Sequence, residues 1–259
     1  MFNWLERRRR RHLRRTPFPA QWLTYVLENV PYFSVLPPED REELLGHVRV
    51  LLDEKHFEGC RGFDITDEVR VTIAGHAACL LLHRVADYFP KLRTILVYPS
   101  LFLVEDHYPD EDGIVSTGAD EHAGQSWDLG AVVLAWDEVA RSSNPSREGY
   151  NVVLHEFAHQ LDLADHFADG TPSLRDEAHY ERWIEVFKAG YDDLIRDVRR
   201  GRRTVIDEYG ATSEAEFFAV ATEAFFETPL RLRRKHPDLY GELSAYFRQD
   251  PADLVEKHR

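Results

Sequence analysis

His155-Glu156-Phe157-Ala158-His159 is an HExxH run, a set of residue types and spacings suited to holding a metal ion and working on a water beside it. At 3.6 residues per turn, positions i and i+4 share a helical face, so both imidazoles point into the same space. Glu156 lies between them around the helix, close enough to act on a water held by the metal. A catalytic zinc usually takes three protein ligands and leaves a fourth position for water, so one ligand must come from elsewhere in the chain.

A helix must present these residues. Val153, Phe157 and Leu161 recur at i, i+4 and i+8, an apolar stripe that buries one face while His155, His159 and Asp162 share another. Three carboxylates compete for the third ligand position. Asp165, six residues past His159, fits the short metzincin-like layout HExxHxxGxxD. In that layout a glycine turns the chain back, but Asp162 holds the glycine position here and Leu161 to Ala164 can continue the helix. Glu216 sits in the first turns of a second helix, because Gly210, Thr212 and Ser213 supply a break and a cap before it. A glutamate donated by a downstream helix is the gluzincin arrangement. Ser213-Glu214-Ala215-Glu216 also fits a capping box, with Glu216 bonding back to the Ser213 amide. Glu223, seven residues on, faces nearly the same way round. Residue pattern alone leaves Glu216 and Glu223 both open.

Asn151 to Asp162, Tyr209 and Glu216-Phe217-Phe218-Ala219-Val220 together resemble the Mlc titration factor A family of bacterial zinc peptidases. The likeness extends to Gly124-Gln125-Ser126-Trp127, to Gly130 through Trp136 and to the opening Met1-Phe2-Asn3-Trp4, so it spans nearly the whole chain. That family's catalytic domain is similar to anthrax lethal factor, and both carry a tyrosine seven residues before the glutamate ligand. The resemblance therefore implies Zn²⁺ held by His155, His159 and Glu216, with Glu223 left to a supporting place. It implies Glu156 as the base that takes a proton from water and passes it to the leaving amine. Tyr209 would hydrogen-bond the developing oxyanion. The implied activity is aminopeptidase-type cleavage of short peptides. Titration-factor proteins are named for sequestering a transcriptional repressor of sugar-uptake genes, so the resemblance also implies a repressor protein as partner, and sequestration without catalysis as the alternative function.

Other elements must carry this site. Gly130 to Trp136 is β-branched and apolar, a strand that zincins place at a sheet edge where a peptide can pair with it. Thr94 to Tyr98 and Leu101 to Val104 also read as strands. Glu39 to Leu52 and Asp67 to Tyr88 carry helix-period apolar positions, and helices resume from Asn151 onward. Glu105 to Asp128 is acidic and turn-rich. Asp110-Glu111-Asp112-Gly113 within it fails the EF-hand spacing, and His107 and His122 read as solvated loop residues. The expected fold is α+β and zincin-like, of gluzincin type: a small twisted sheet, the HExxH helix, and additional N- and C-terminal helices. The expected division is a basic arm at 1–16, a helical region at 17–90 and the catalytic region at 91–259.

Composition bounds the rest. The 259 residues are 43% hydrophobic and 12% aromatic, as in a globular protein. The longest apolar stretch, around Ile73 to Leu82, falls short of the roughly 20 residues a bilayer requires, and no membrane association is expected. Cys60 and Cys79 show no CxxC spacing, which fits a reducing cytoplasm. Seven arginines crowd between Arg7 and Arg15, followed by Thr16-Pro17-Phe18-Pro19 instead of a signal-peptide core. Without residues 1–15 the chain keeps 25 basic and 45 acidic residues, a net charge of −20. An acidic body repels the nucleic-acid backbone, so direct binding to it is not expected. The arginine run is expected to be a tail or to pack on the protein's own acidic surface.

Overall fold

Prolines and short polar side chains set where the helices begin. The computed structural model describes residues 2–85, 87–100, 130–142, 149–165 and 168–258. In it α1 (Phe2–Arg15) and α2 (Ala20–Asn29) lead to α3 (Pro31–Val35) and α4 (Pro38–Glu54), the last two opened by a proline whose fixed φ suits a first helical turn. Strand β1 (His56–Gly59) precedes α5 (Asp67–Cys79), which the Thr66 hydroxyl caps by accepting from the Val69 N–H at 3.3 Å. Then come β2 (Thr94–Tyr98), β3 (Ala131–Ala135), α6 (Trp136–Ser142) and α7 (Val152–Asp162), the helix of the HExxH run. The chain continues through α8 (Glu177–Arg199), α9 (Glu214–Glu227), α10 (Pro229–Lys235), α11 (Pro237–Phe247) and α12 (Pro251–Lys257).

The architecture is mixed, with helices dominating a small parallel sheet ordered β1-β2-β3. His56 pairs with Thr94 and Thr94 with Ala131, so the strands run in step. Ile95, Val97, Val132 and Leu134 point into the core at alternate positions. Parallel strands need long crossovers, and α5 fills the one between β1 and β2. Almost every residue of α5 from Val69 to Cys79 is buried, since it packs against α2, α4, α6 and α7. No helix among the described residues is long and apolar enough to cross a membrane.

Two stretches differ from what periodicity suggests. β1 lies inside the region that reads as helical, because its four residues carry no apolar run to announce a strand. The helical pattern from Asp67 to Tyr88 also breaks off early. Leu80, Leu81, Leu82, Tyr88 and Phe89 are buried, but they sit in turns where His83, Tyr88 and Phe89 take φ of 60°, 55° and 52°. Their spacing reflects burial in the core and not a continuing helix. The strand expected at Leu101 to Val104 and the loop to Asp128, with His107, His122, Asp110 to Gly113 and Gly124 to Trp127, lie outside the described residues.

The arginine run forms α1 and packs on α4 through that helix's acidic face. Arg9 meets Asp53 at 2.8 Å, and Arg14 meets Glu43 at 3.2 Å. Arg10 grips Glu54 with two parallel bonds of 2.8 and 2.9 Å while its guanidinium covers the Tyr88 ring at 4.7 Å.

α7 is held between the sheet and α9. Val153, Phe157 and Leu161 are buried on one side, with the Phe157 ring edge-on to Phe89 at 4.8 Å. On the other side α9 is buried without a break from Ala215 to Phe226, glutamates included. A loop glycine ties α7 to α8. Gly170 donates its N–H to the Asp162 carboxylate at the end of α7 (2.8 Å), and its carbonyl accepts from the Trp183 indole of α8 (3.2 Å). Its φ of +78° and the Glu214 carbonyl, 2.4 Å from where a Cβ would sit, both demand glycine.

Candidate metal centre

The site is assembled by two helix N-caps. Asn151 caps α7 by accepting from the Leu154 N–H at 3.1 Å, and Ser213 caps α9 by accepting from the Glu216 N–H at 3.2 Å. The second cap uses the serine half of the capping box. The Glu216 side chain turns instead toward α7.

There His155 Nε2 and His159 Nε2 lie 3.2 Å apart. Glu216 straddles them, with Oε2 at 3.0 Å from His155 Nε2 and Oε1 at 3.4 Å from His159 Nε2. Donor atoms of these three residues all fall within 4.8 Å of one another. At zinc–ligand bonds of 2.0–2.2 Å, ligand atoms of one tetrahedral ion stand about 3.3 Å apart. The 3.2 Å between the two Nε2 atoms matches that edge length, and each imidazole has a different Glu216 oxygen at a comparable distance. Two imidazoles and one carboxylate are also a protein donor set of a catalytic zinc, so the residues present fit the ion.

Glu223 occupies a different place. Its Oε1 accepts from His155 Nδ1 at 2.8 Å, and its Oε2 accepts from the Asn151 backbone N–H. Fixing the proton on Nδ1 leaves the Nε2 lone pair of His155 facing Glu216 and His159, the orientation a ligating histidine needs. The two glutamates seven residues apart thus take separate atoms of the same imidazole.

Charge makes the cluster a cation trap. Burial works against a charged His155, but hydrogen bonds to Glu216 and Glu223 overcome it and hold its pKa well above the usual histidine value. Burial likewise pushes Glu216 up, yet the two imidazoles bring it down to about 2. Burial pushes Glu223 above the ordinary carboxylate range despite its bond to His155. Two buried carboxylates require positive charge between them, which a proton on His155 or a divalent ion supplies.

Glu156 is half-buried on α7, one residue from His155. Tyr209 sits in a one-turn 3-10 helix (Glu208–Ala211) opened by Asp207, whose carboxylate accepts from the Tyr209 N–H at 2.9 Å. Its ring centroid is 6.1 Å from that of His155, tilted by 40°, and 38% of the residue is exposed. Asp162 is buried and binds the Gly170 backbone. Asp165 closes a 3-10 turn after α7 (Leu163–Asp165), and its side chain lies outside the described residues.

Behind the three donors is a polar network that motif spacing does not reveal. The Asn151 side-chain amide donates to His76 Nδ1 on α5 at 3.0 Å and to Glu227 Oε1 on α9 at 2.8 Å. One asparagine thus caps the HExxH helix and ties it to α5 and α9. Burial lowers His76 to about 4 and raises Glu227 to about 7, keeping both groups uncharged at mildly acidic pH. The available signal is limited to a capping residue before the motif and glutamates at 223 and 227, spaced to share a helical face.

Known proteins match this chain over nearly its full length. It is 38% identical over 250 residues to an uncharacterized protein of Synechocystis, covering 96% of this chain and 90% of that one. It is similar to Mlc titration factor A of Serratia proteamaculans (34% identity, 92% of this chain and 90% of the relative) and to that of Yersinia enterocolitica (31%, 92% and 88%). Residues 4–248, which contain every donor described above, match the pattern of one family throughout, and the chain belongs to the glucose-regulated metallo-peptidases M90.

Proposed function

We propose that the protein is a zinc-dependent peptidase of gluzincin type, with His155, His159 and Glu216 as metal ligands, Glu156 as general base and Tyr209 as oxyanion donor. The observation that carries this reading is the convergence of the two Nε2 atoms and the Glu216 carboxylate, with donor atoms of the three residues within 4.8 Å of one another. Bound there, zinc supplies Lewis acidity and brings the pKa of a coordinated water to about 7. Glu156 accepts the proton of the attacking water and returns it to the leaving amine, a role its place beside His155 permits. The Tyr209 phenol, near the His155 ring and partly exposed to incoming substrate, donates to the oxyanion that develops on the scissile carbonyl.

We assign a short peptide as the substrate, adding along β3 as a strand through backbone hydrogen bonds; among the described residues β3 is the last strand of the sheet. Removal of single N-terminal residues is the cleavage we assign. The decisive experiment measures zinc by mass spectrometry together with hydrolysis of aminoacyl-nitroanilides. We expect about one zinc per chain. Glu156→Gln should retain it while hydrolysis falls by at least about a hundredfold. A zinc-free native protein, or full activity in Glu156→Gln, would refute the assignment.

A second reading rests on the relatives named Mlc titration factor A, which cover 92% of this chain. In it the protein captures a transcriptional regulator in the cytoplasm, and the peptidase site is not needed for capture. Retention of a co-purifying regulator by Glu156→Gln separates the two activities, whereas its loss would join them.

A further inference from the structure

Among the described residues, large apolar side chains stand exposed as close pairs at two places, on two long helices whose outer faces carry opposite charge. Trp4 and Leu5, 63% and 59% exposed, lie in the first turn of α1, whose 14 residues hold seven arginines and one glutamate. Tyr180 and Ile184, 49% and 38% exposed, lie one turn apart on α8. Leu27, Val85 and Tyr209, the other exposed residues of this kind, stand singly along the chain.

On α1 some arginines are engaged within the chain and others are not. Arg9, Arg10 and Arg14 pair with Asp53, Glu54 and Glu43 of α4, and Glu6 binds Arg10. Arg8, Arg11 and Arg15 follow Trp4 at i+4, i+7 and i+11, on the face turned from α4. All three are exposed and make no ion pair among the described residues, and the Arg8 guanidinium covers the Trp4 ring at 5.7 Å. α8 carries the reverse pattern. Trp183, Phe187 and Leu194 are buried on one side, while Glu181, Glu185 and Asp192 are exposed on the other with Tyr180 and Ile184 beside them. These carboxylates also make no ion pair among the described residues, and Lys188 is a cation set between them.

The complement of a basic helix face with an apolar end is an acidic helix face with an apolar end, and this chain holds both. At 1.5 Å per residue, Trp4 to Arg15 spans about 17 Å and Tyr180 to Asp192 about 18 Å. The apolar pair comes first along each helix, so parallel docking lays apolar on apolar and arginine on carboxylate. We infer that α1 of one copy of this chain docks on α8 of a second copy. Trp4 and Leu5 then cover Tyr180 and Ile184, Arg8 faces Glu181 and Glu185, and Arg15 faces Asp192. A specific interface buries about 1,200–2,000 Å², and a two-fold axis supplies it by using the contact twice, each α1 on the other copy's α8. A lipid or nucleic-acid surface would answer the arginines but leave the α8 face unmatched. The second copy accounts for both faces at once.

Sedimentation velocity of the full chain tests this at about 0.15 M salt, where charges more than about 8 Å apart are screened and contacts outweigh the repulsion between two acidic chains. The parent should form a dimer. The double variant Arg8→Glu with Arg11→Glu should be monomeric, and so should Glu181→Arg with Glu185→Arg, because each sets like charges face to face. An equimolar mixture of the two double variants should recover the dimer, since every α1 then meets an α8 of opposite charge. Lys188→Glu should tighten the parent dimer about threefold or more by removing the like charge opposite the arginines. The replaced side chains are exposed, so thermal melting like that of the parent confirms that each variant is folded. The inference is overturned if the parent stays monomeric up to about 100 μM, the range of a weak interface. It is also overturned if either double variant dimerises like the parent, or if their mixture stays monomeric. Flotation of a monomeric parent with phosphatidylglycerol vesicles, or its retardation of a DNA duplex, would give the α1 face to a phosphate surface and overturn it likewise.

Discussion

Glu216 and Glu223 show how two identical side chains on one helix acquire different chemistry from about two turns of separation. Glu216 faces the Nε2 atoms of both histidines, whereas Glu223 holds His155 from behind through Nδ1. Exchanging either for glutamine keeps shape and removes charge, so the contrast between them isolates the role. Glu223→Gln should weaken zinc about 10- to 100-fold, the usual effect of losing the group that orients a ligating histidine. Glu216→Gln should weaken it further, because a metal–oxygen bond is lost outright. Competition with a fluorescent zinc chelator ranks the two, and the reverse order would remove Glu216 from the ligand set. Spacing alone makes the histidine pair and Glu156 legible, since i and i+4 fix a face whatever surrounds the helix. It cannot choose between Glu216 and Glu223, which share a face of α9. That choice depends on how α9 packs across α7, a tertiary arrangement with no sequence period.

Among the elements, the short 3-10 turn Glu208–Ala211 is where packing most directly governs the site. Gly210, adjacent to Tyr209, sits so close to α9 that a Cβ there would lie 2.4 Å from Val220 Cγ2 and 3.3 Å from Phe217 Cα. Gly210→Ala must push the turn outward, carrying Tyr209 away from His155. Overpacking of this kind costs about 1–3 kcal/mol. The expected result is a modest loss of thermal stability, normal zinc content and a lower kcat for peptide hydrolysis. Unchanged kcat would mean that the phenol has no part in the reaction. Elements with strong signals were readable at this scale: β2 and β3 from apolar β-branched runs, α4, α7 and α9 from period and caps. β1 was not, being four residues long with alternating exposure and defined by its partner β2. The turns after α5 escaped for the opposite reason, since Leu80 to Leu82 are as apolar as a helix interior. α1 was legible only as charge, because its helix is stabilised by the acidic face of α4.

For the whole molecule, the buried His76 and half-buried Glu227 bridged by Asn151 give folding stability a pH signature that can be separated from the metal. His76 titrates at about 4 in the folded protein because burial disfavours its charge, against about 6.5 when unfolded. Its contribution is therefore complete above pH 6.5 and is lost as pH falls from there toward 4. Glu227, raised by burial to about 7 from an unfolded value near 4.5, behaves oppositely. Its contribution is complete below pH 4.5 and is lost as pH rises through 7. Between pH 4.5 and 6.5 the unfolded chain binds one proton more at His76 and one fewer at Glu227, so the two slopes cancel. Removing one partner exposes the other. Glu227→Gln keeps an acceptor for Asn151 and abolishes the glutamate's titration, so its stability relative to the parent should climb by about 1.4 kcal/mol per pH unit from 4.5 to 7. His76→Gln should climb relative to the parent by a similar amount per unit as pH falls from 6.5 to 4. Urea unfolding of the chelator-treated protein at half-unit pH steps measures both differences. Parallel pH profiles for parent and variants would show that these groups titrate alike in the folded and unfolded chains, and so are not held uncharged by the core.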